Sequence, residues 1–417
     1  MQQVQSPFLH FLQERGFIHQ STDLKGLDDQ LKQGMVTAYM GFDATGDSLH
    51  VGHLLGIMVL RHLQKFGHRP IILLGGGTTK IGDPSGKDES RKLLSEDDIQ
   101  QNVTRIQGIF GRFINIGQKD NQAIMLNNAD WLNSLNYIDF LRDFGRHFSI
   151  NRMLSFDSVR LRLEREQPLS FLEFNYMILQ AYDFLHLARH HHCILQLGGS
   201  DQWGNIVNGI ELARRVDNRE LFGLCTPLLM TSAGTKMGKT ANGAVWLDAV
   251  KLSPYEYWQY WRNCSDQDVG RFLKLFTEIP LNEIRRLEKL HGAELNEAKI
   301  VLANAATALA HGNQEAEKSA ETARKTFEQG DIGDTLPTLI INLSQLKQGI
   351  HLYDLLRQSN LSTSNSEARR LIKGGGARLN DKPVQDELHI VTIEDLQKDS
   401  IIKISAGRKR HVIVRIA

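Results

Sequence analysis

Two pairs of residues and one helical stripe stand out for the chemistry they could do. His50-Val51-Gly52-His53 sets two imidazoles either side of a glycine, and Lys236 and Lys239 sit three apart on a loop bearing Gly234 and Gly238. Where such a histidine pair opens a helix, both rings can point at a ligand, and a glycine lets an adenine or ribose approach the backbone. A lysine pair on a glycine-bearing loop is usually just solvated. Beside a nucleotide site it is a candidate clamp for a leaving pyrophosphate. The stripe is Tyr176, Gln180 and Asp183, spaced four and three apart. Such a stripe ordinarily faces a core. Three hydrogen-bonding groups beside Phe174, Met177, Ile178, Leu179 and Phe184 need partners, however, and a polar small-molecule substrate supplies them.

The elements that must position these groups are legible around them. Val36-Thr37-Ala38-Tyr39-Met40 reads as a strand, Gly41, Asp43, Gly46 and Asp47 as a turn, and LLGIMVLRHLQKF as a helix that His50 to His53 open. In an open parallel sheet the crevice beyond such a strand end is where nucleotides bind. A second apolar strand, IILLGGG, runs into GGGTTKIGDPSGKDESRK, a loop whose Lys80, Lys87, Arg91 and Lys92 form a basic arm. Two stretches approach a phosphate-binding P-loop and miss it. IGDPSGKD has Ile81 and Asp88 where Gly and Ser or Thr are needed, and GTKMGKT is one residue short. CILQLGGSDQWGN reads as a further strand and glycine loop opening a helix at Ile206, with Gly198 and Gly199 allowing close approach and Asp201 suited to a ribose hydroxyl. LFGLCTPLLM reads as the last strand of the sheet. His190-His191-His192-Cys193 has no second cluster to complete a metal site and reads as a solvated helix end.

At 417 residues the chain calls for two or three domains. The expected division is a Rossmann-like catalytic domain over 1–235 with a mostly helical insertion at about 91–168. A helical domain with the lysine loop follows over 236–330, then a linker over 331–349 and a small tail domain over 350–417. Helices of such an insertion often pack against a second subunit, and a plain intrachain role is the alternative. Net charge is +1, but residues 350–417 hold 12 Lys and Arg against 8 Asp and Glu, so the basic excess marks a polyanion partner for the tail. Cys193, Cys225 and Cys264 are odd in number and unpaired by spacing, which suggests a reducing cytoplasm. No apolar run approaches a membrane span, and MQQVQSPFLHFLQERGF lacks the plan of a signal peptide.

Together these blocks resemble a bacterial-type tyrosyl-tRNA synthetase, a class I aminoacyl-tRNA synthetase, over essentially the whole chain. HVGH (50–53) is similar to the class I His-x-Gly-His signature and KMGKT (236–240) to Lys-Met-Ser-Lys-Ser. YMGFDATGDSLHVGHL, IGDPSGK, QAYDF and GGSDQWGN look like the family's own blocks. The tail, with Arg369, Arg370, Lys373, Arg408, Lys409 and Arg410, resembles the S-four-type RNA-binding domain appended to these enzymes.

The resemblance implies a Rossmann-like α/β fold and roles for single residues. Thr45 and His50 would hold the γ-phosphate of ATP; His53 and Asp201 its ribose, with Gly52 and Gly199 giving access. Lys87, Arg91, Lys236, Lys239 and Thr240 would close on the β- and γ-phosphates. Asp83, Tyr176 and Gln180 would bind the ammonium of tyrosine, Tyr39 and Asp183 its phenol, and Gln202 would lie near the reacting carboxylate. L-Tyrosine, ATP, tRNA(Tyr) and a second copy of the chain would be the partners, with Mg²⁺ carried by the phosphates. Two departures are visible: Met40 stands where some members have a ribose-contacting Cys, and Gly238 and Thr240 replace the signature's serines, Gly238 loosening that loop. The related tryptophanyl enzyme is the first alternative, disfavoured because an indole has no phenol for Tyr39 and Asp183. A catalytically idle RNA-binding relative is the second, disfavoured by the retained histidines and lysines.

Overall fold

The computed structural model describes residues 4–85, 93–232, 234, 237–240, 243–326, 336–397, 401–407 and 410–416, with Lys239 and Thr240 as backbone only. The chain forms two compact units, Met1–Leu252 with Tyr260–His311, and Ser253–Gln259 with Gly312–Ala417. The first unit therefore runs beyond the boundary expected at residue 235.

The first unit is built on a six-stranded sheet of order β1-β6-β5-β2-β3-β4. Its strands are β1 (Gln20–Ser21), β2 (Thr37–Asp43), β3 (Arg69–Gly75), β4 (Ile124–Asn127), β5 (Cys193–Gly199) and β6 (Phe222–Thr226). All neighbours pair parallel except β1 with β6. Parallel sheets carry helices on both faces, so their strands read as near-continuous apolar runs, as Ile71 to Leu74 does. Within the mostly helical stretch 91–168 lies one strand, β4, whose Ile124 to Asn127 pair with Ile71 to Leu74 and extend the sheet.

Helices fill the connections: α1 (Pro7–Arg15), α2 (Leu24–Gln33), α3 (Val51–Lys65), α4 (Glu96–Phe110), α5 (Ala129–Leu132), α6 (Tyr137–Asp143), α7 (Ile150–Ser155), α8 (Asp157–Glu164), α9 (Phe171–His191) and α10 (Trp203–Asp217). α3 buries Leu54, Leu55, Ile57, Met58, Val59, Leu60 and Leu63, the apolar run that made it legible. Gly56 lets Met40 of β2 lie against it, since a Cβ there would stand 2.3 Å from the Met40 sulfur. The helix ends before Gly67, whose φ of +84° belongs to the left-handed region glycine tolerates.

The far end of α3 is anchored by a compact ion cluster. Arg61 donates twice to Glu278, at 2.7 and 3.0 Å, and Lys65 approaches the same carboxylate at 2.6 Å. Burial alone would push Glu278 up; hydrogen bonds from Arg61 and Lys65 outweigh it and bring the carboxyl down to about 2. A depressed carboxyl stabilises the fold above its unfolded value near 4.5 and loses that contribution as pH falls through about 2. Glu278→Gln is expected to cost about 1.5–3 kcal/mol at neutral pH. In thermal unfolding measured from pH 7 to pH 2, the gap between the two proteins should narrow toward the acid end.

After β6 come the short hairpin β7 (Lys239–Thr240) and β8 (Gly243–Ala244), then helices α11 (Pro254–Arg262), α12 (Val269–Phe276), α13 (Leu281–Leu287), α14 (Leu295–His311) and α15 (Asn313–Arg324). The rest of the second unit contains β9 (Thr338–Ile341), α16 (Leu343–Gln348), β10 (Ile350–His351), α17 (Leu352–Gln358), α18 (Asn365–Lys373), β11 (Ala377–Leu379), β12 (Lys382–Val384), β13 (Ile390–Val391), β14 (Ile401–Ala406) and β15 (Arg410–Ile416). Five strands form a sheet of order β12-β11-β14-β15-β9. Leu352, Leu355, Leu356, Ala368 and Ile372 of the two helices pack on Ile402, Ile404, Val412 and Val414. Part of the stretch expected as linker belongs to this unit: β9 pairs with β15, and Ile341 and Leu346 join the core. Helix α18 is capped by Ser364, whose hydroxyl accepts from the Glu367 N–H three residues on.

Candidate active site

The ends of β2 and β3 and the inner side of α9 converge. Tyr39 of β2 is 1% exposed and packs on Phe184 at 5.2 Å between ring centroids, and among the described residues its hydroxyl has no hydrogen-bond partner. Asp183 of α9 is 2% exposed. Its Oδ1 accepts from the Trp131 indole at 2.7 Å and its Oδ2 from the Asn128 amide at 2.9 Å. Burial pushes the Asp183 carboxyl up to about 7 against those two donors, and burial with the Asp183 charge raises the Tyr39 phenol well above its ordinary 10. Gln196 of β5, in register with Tyr39, is also buried, and its Oε1 has no partner among the described residues. An unsatisfied hydroxyl, an amide oxygen and a costly buried carboxylate suit a ligand with one polar hydrogen-bonding tip on an apolar body.

A second polar group lies at the carboxyl ends of the neighbouring strands. The Tyr176 hydroxyl donates to Asp43 Oδ2 at 3.0 Å, and Thr78 donates to Asp43 Oδ1 at 2.8 Å. Position 75 must be glycine here, since a Cβ would stand 2.2 Å from that carboxylate. Asp83 is buried; its Oδ2 accepts from Gln202 at 2.7 Å and its Oδ1 from the Ser85 N–H at 2.9 Å. Asn205 donates to Gln202 at 3.1 Å and so orients it. Gln180 follows Tyr176 by one helical turn and is half-buried. Carboxylates with hydroxyl and amide groups between them are the chemistry that receives an ammonium.

The third group is the opening of α3. His50 caps it: His50 Nδ1 accepts from the Gly52 N–H at 3.0 Å, and His53 Nδ1 accepts from the His50 N–H at 3.2 Å. Two accepting Nδ1 atoms put the ring protons on Nε2, the atom from which a histidine donates to a phosphate oxygen. A Cβ on residue 52 would lie 2.7 Å from the His50 ring, so the glycine of HVGH serves its own histidine. The second signature lies directly against the first. Gly238 has φ of +106°, and a Cβ there would be 2.8 Å from Gly52 N. This corrects the reading of Gly238 as a loosening residue: backbone handedness and close approach both demand glycine. Val51 N–H donates to Val245 and Leu247 N–H to Leu49, each at 2.9 Å, lacing the two segments together.

Among the other expected residues, Gly199 lies so close to Asp201 that a Cβ would meet Oδ1 at 2.5 Å, and Thr45 is exposed. Lys87, Arg91, Lys236, Arg408 and Lys409 lie outside the described residues. Among the described residues no three His, Cys, Asp or Glu side chains gather as a metal site. In the second unit Arg369, Arg370 and Lys373 share exposed turns of α18, and the Arg369 guanidinium sits 4.3 Å over Tyr353. Arg410 and Arg370 both lie close enough to Glu367 to help hydrogen bonds from Thr363 hold it below the usual range. Sequence reasoning missed Asp43, Thr78, Asn128, Trp131 and Gln196. The one available signal was a lone glutamine in the apolar run of β5.

These features, a parallel sheet whose carboxyl edge carries two apposed signatures, define a class of enzyme. A family profile described as tRNA synthetases class I (W and Y) matches residues 31–328, and the chain belongs to that family. Among its relatives are the tyrosine–tRNA ligases of Rhodospirillum rubrum, 59% identical over 99% of this chain and 98% of that one, and of Nitrobacter winogradskyi, 59% identical over 99% of each. A C-terminally truncated mitochondrial tyrosyl-tRNA synthetase from Aspergillus nidulans superposes with a TM-score of 0.69 at 30% identity, covering 78% of this chain and 95% of that one.

Proposed function

We propose that Tyr39 and Asp183 read the phenol of tyrosine, that Asp83, Tyr176 and Gln180 hold its ammonium, and that Gln202 lies beside the reacting carboxylate. The activity is that of a tyrosine–tRNA ligase, an aminoacyl-tRNA synthetase. What supports the assignment most is the buried Asp183 carboxylate opposite the unpartnered Tyr39 hydroxyl, since the phenol O–H donates to one and accepts from the other. The tyrosine carboxylate, already ionised, attacks the α-phosphate of ATP; the bond to the bridging oxygen breaks and pyrophosphate leaves. A hydroxyl at the 3′ end of tRNA(Tyr) then attacks the activated carbonyl and AMP leaves. The first step needs no general base, so its catalysis comes from alignment and from groups placed where charge grows. His50 with Thr45, and the arm and loop carrying Lys87, Arg91, Lys236, Lys239 and Thr240, would supply those groups. His53, Asp201, Gly52 and Gly199 would seat the ribose. Mg²⁺ would neutralise phosphate charge. The residues we assign to the phosphates are a histidine, a threonine pair and cations rather than carboxylates, so the phosphates and water would hold the metal. A cytoplasmic location accords with three free cysteines. Pyrophosphate exchange tried with each of the twenty amino acids tests the whole reading. Tyrosine alone should support it, and exchange driven by tryptophan would overturn the phenol assignment.

The helices between β4 and β5 carry Tyr137, Ile138, Ile150, Leu163 and Phe171, between 49% and 70% exposed. Large apolar residues concentrated in one segment mark an interaction face, and a homodimer formed there is the reading we adopt. The double variant Ile138→Glu, Phe171→Glu should sediment as a monomer at concentrations where the parent is a dimer. An unchanged sedimentation coefficient would place the interface elsewhere.

The second unit is read as an S-four-type RNA-binding domain. Arg369, Arg370, Lys373, Arg408, Lys409 and Arg410 would neutralise tRNA phosphates, a salt-dependent attraction. Replacing Arg369, Arg370 and Lys373 together by alanine should leave tyrosyl-adenylate formation intact and weaken tRNA binding. The slope of log affinity against log salt should become shallower by about 2–3. A parallel salt dependence would make those side chains a merely solvated face.

A further inference from the structure

Asp183 holds its place through partners that come from a weak part of the fold. Trp131 lies on α5, a single helical turn following the edge strand β4, and one turn of helix has little stability of its own. The indole is nevertheless only 9% exposed and aligned on Asp183 at 2.7 Å. What flanks it is His186, three residues beyond Asp183 on α9 and so on the same side of that helix. The imidazole stacks on the indole with centroids 4.2 Å apart and planes within 15°. His190, exposed, lies 4.4 Å beyond His186, so the half-buried imidazole separates the indole from solvent.

We propose that His186 is a positioning residue for tyrosine recognition. By stacking on Trp131 it holds the indole N–H on Asp183 and keeps that carboxylate turned toward the bound phenol. The inference rests on the reading that Asp183 receives the phenol. His186 acts as a neutral plate: burial first, then His190, His191 and Arg189, lower its pKa to about 4. The groups around Asp183 itself are Tyr39, Tyr182 and Asp43, with Cys193 behind Tyr39. Of the two donors to Asp183, Trp131 is the one His186 holds. A donor to the charged form lowers a carboxyl pKa, so releasing the indole lets Asp183 rise further above about 7. Tyrosine affinity, which needs the ionised carboxylate, would then require a higher pH.

The test measures tyrosine dissociation constants of the full chain from pH 5.5 to 9, beside the KM for ATP. His186→Ala should bind tyrosine roughly three- to tenfold more weakly at neutral pH, the size of one hydrogen bond disturbed. Its pH midpoint should move upward, while the KM for ATP stays put. His186→Phe, which keeps a flat ring, should restore both affinity and midpoint. In a Trp131→Phe background, adding His186→Ala should change little, because the N–H it positions is already gone. Should His186→Ala fold poorly, His186→Gln removes the ring with less lost volume and is read the same way. Unchanged affinity and midpoint in the ring-deleted variant, with Asp183→Asn binding weakly, overturn the positioning role and leave the phenol assignment standing. Full additivity with Trp131→Phe also overturns it. If Asp183→Asn binds tyrosine as well as the parent, the phenol assignment fails and the inference with it.

Discussion

Asp183→Ala is expected to lower kcat/KM for tyrosine activation by on the order of 10³, the largest single loss in the amino-acid site. The change removes a charged acceptor and strands three donors built around it: the phenol of the substrate, the Trp131 indole and the Asn128 amide. Each buried donor left unpaired costs about 1–3 kcal/mol, and every 1.4 kcal/mol is a factor of ten. Asp183→Asn keeps an acceptor and should lose less. Tyr39→Phe removes only one neutral hydrogen bond and should cost about 0.5–1.5 kcal/mol while eroding rejection of phenylalanine. In the parent, tyrosine affinity should fall as pH drops through about 7, where the buried carboxyl takes up its proton. A ratio of tyrosine to phenylalanine activation untouched by Tyr39→Phe would remove Tyr39 from the phenol site.

Lys236→Ala and Lys239→Ala should each slow adenylate formation in a single turnover by about 10²–10³, with tyrosine dissociation constants almost unmoved. The reason is timing. A cation that meets charge only as pyrophosphate departs stabilises the transition state and not the bound substrate, so the rate falls without a change in affinity. His50 belongs to the same group but has a second duty, since its Nδ1 caps α3. His50→Ala therefore mixes catalytic with structural loss. His50→Asn keeps a capping acceptor and isolates the catalytic part, expected to be similar in size. Rapid-quench measurement beside equilibrium tyrosine binding separates the two. Lost tyrosine affinity with normal adenylation would make these groups structural.

By itself the sequence determined whatever is local. The strand through Tyr39, the turn and the helix opening at His50 could be read in a line because periodicity and turn chemistry act over a few residues. The stripe of Tyr176, Gln180 and Asp183 was equally plain, since helical spacing alone puts the three together. What each of them faces came only from the tertiary structure. Tyr176 reaches Asp43 across 133 residues, and Asp183 meets Asn128 and Trp131 across 55 and 52. No local preference encodes such a meeting. β4 was hidden for the same reason: four half-buried residues after a polar stretch show no period, and the edge of β3 that they pair with makes them a strand. β9 likewise becomes a strand only because β15 offers it an edge. Gly238 reverses meaning between the two levels. In the sequence it is freedom for a loop, whereas in the fold its positive φ and the backbone of Gly52 against it leave no room for a side chain. Short-range interactions set the elements and the residues on each face; the packing of strand ends against one another decided which polar atoms share a site.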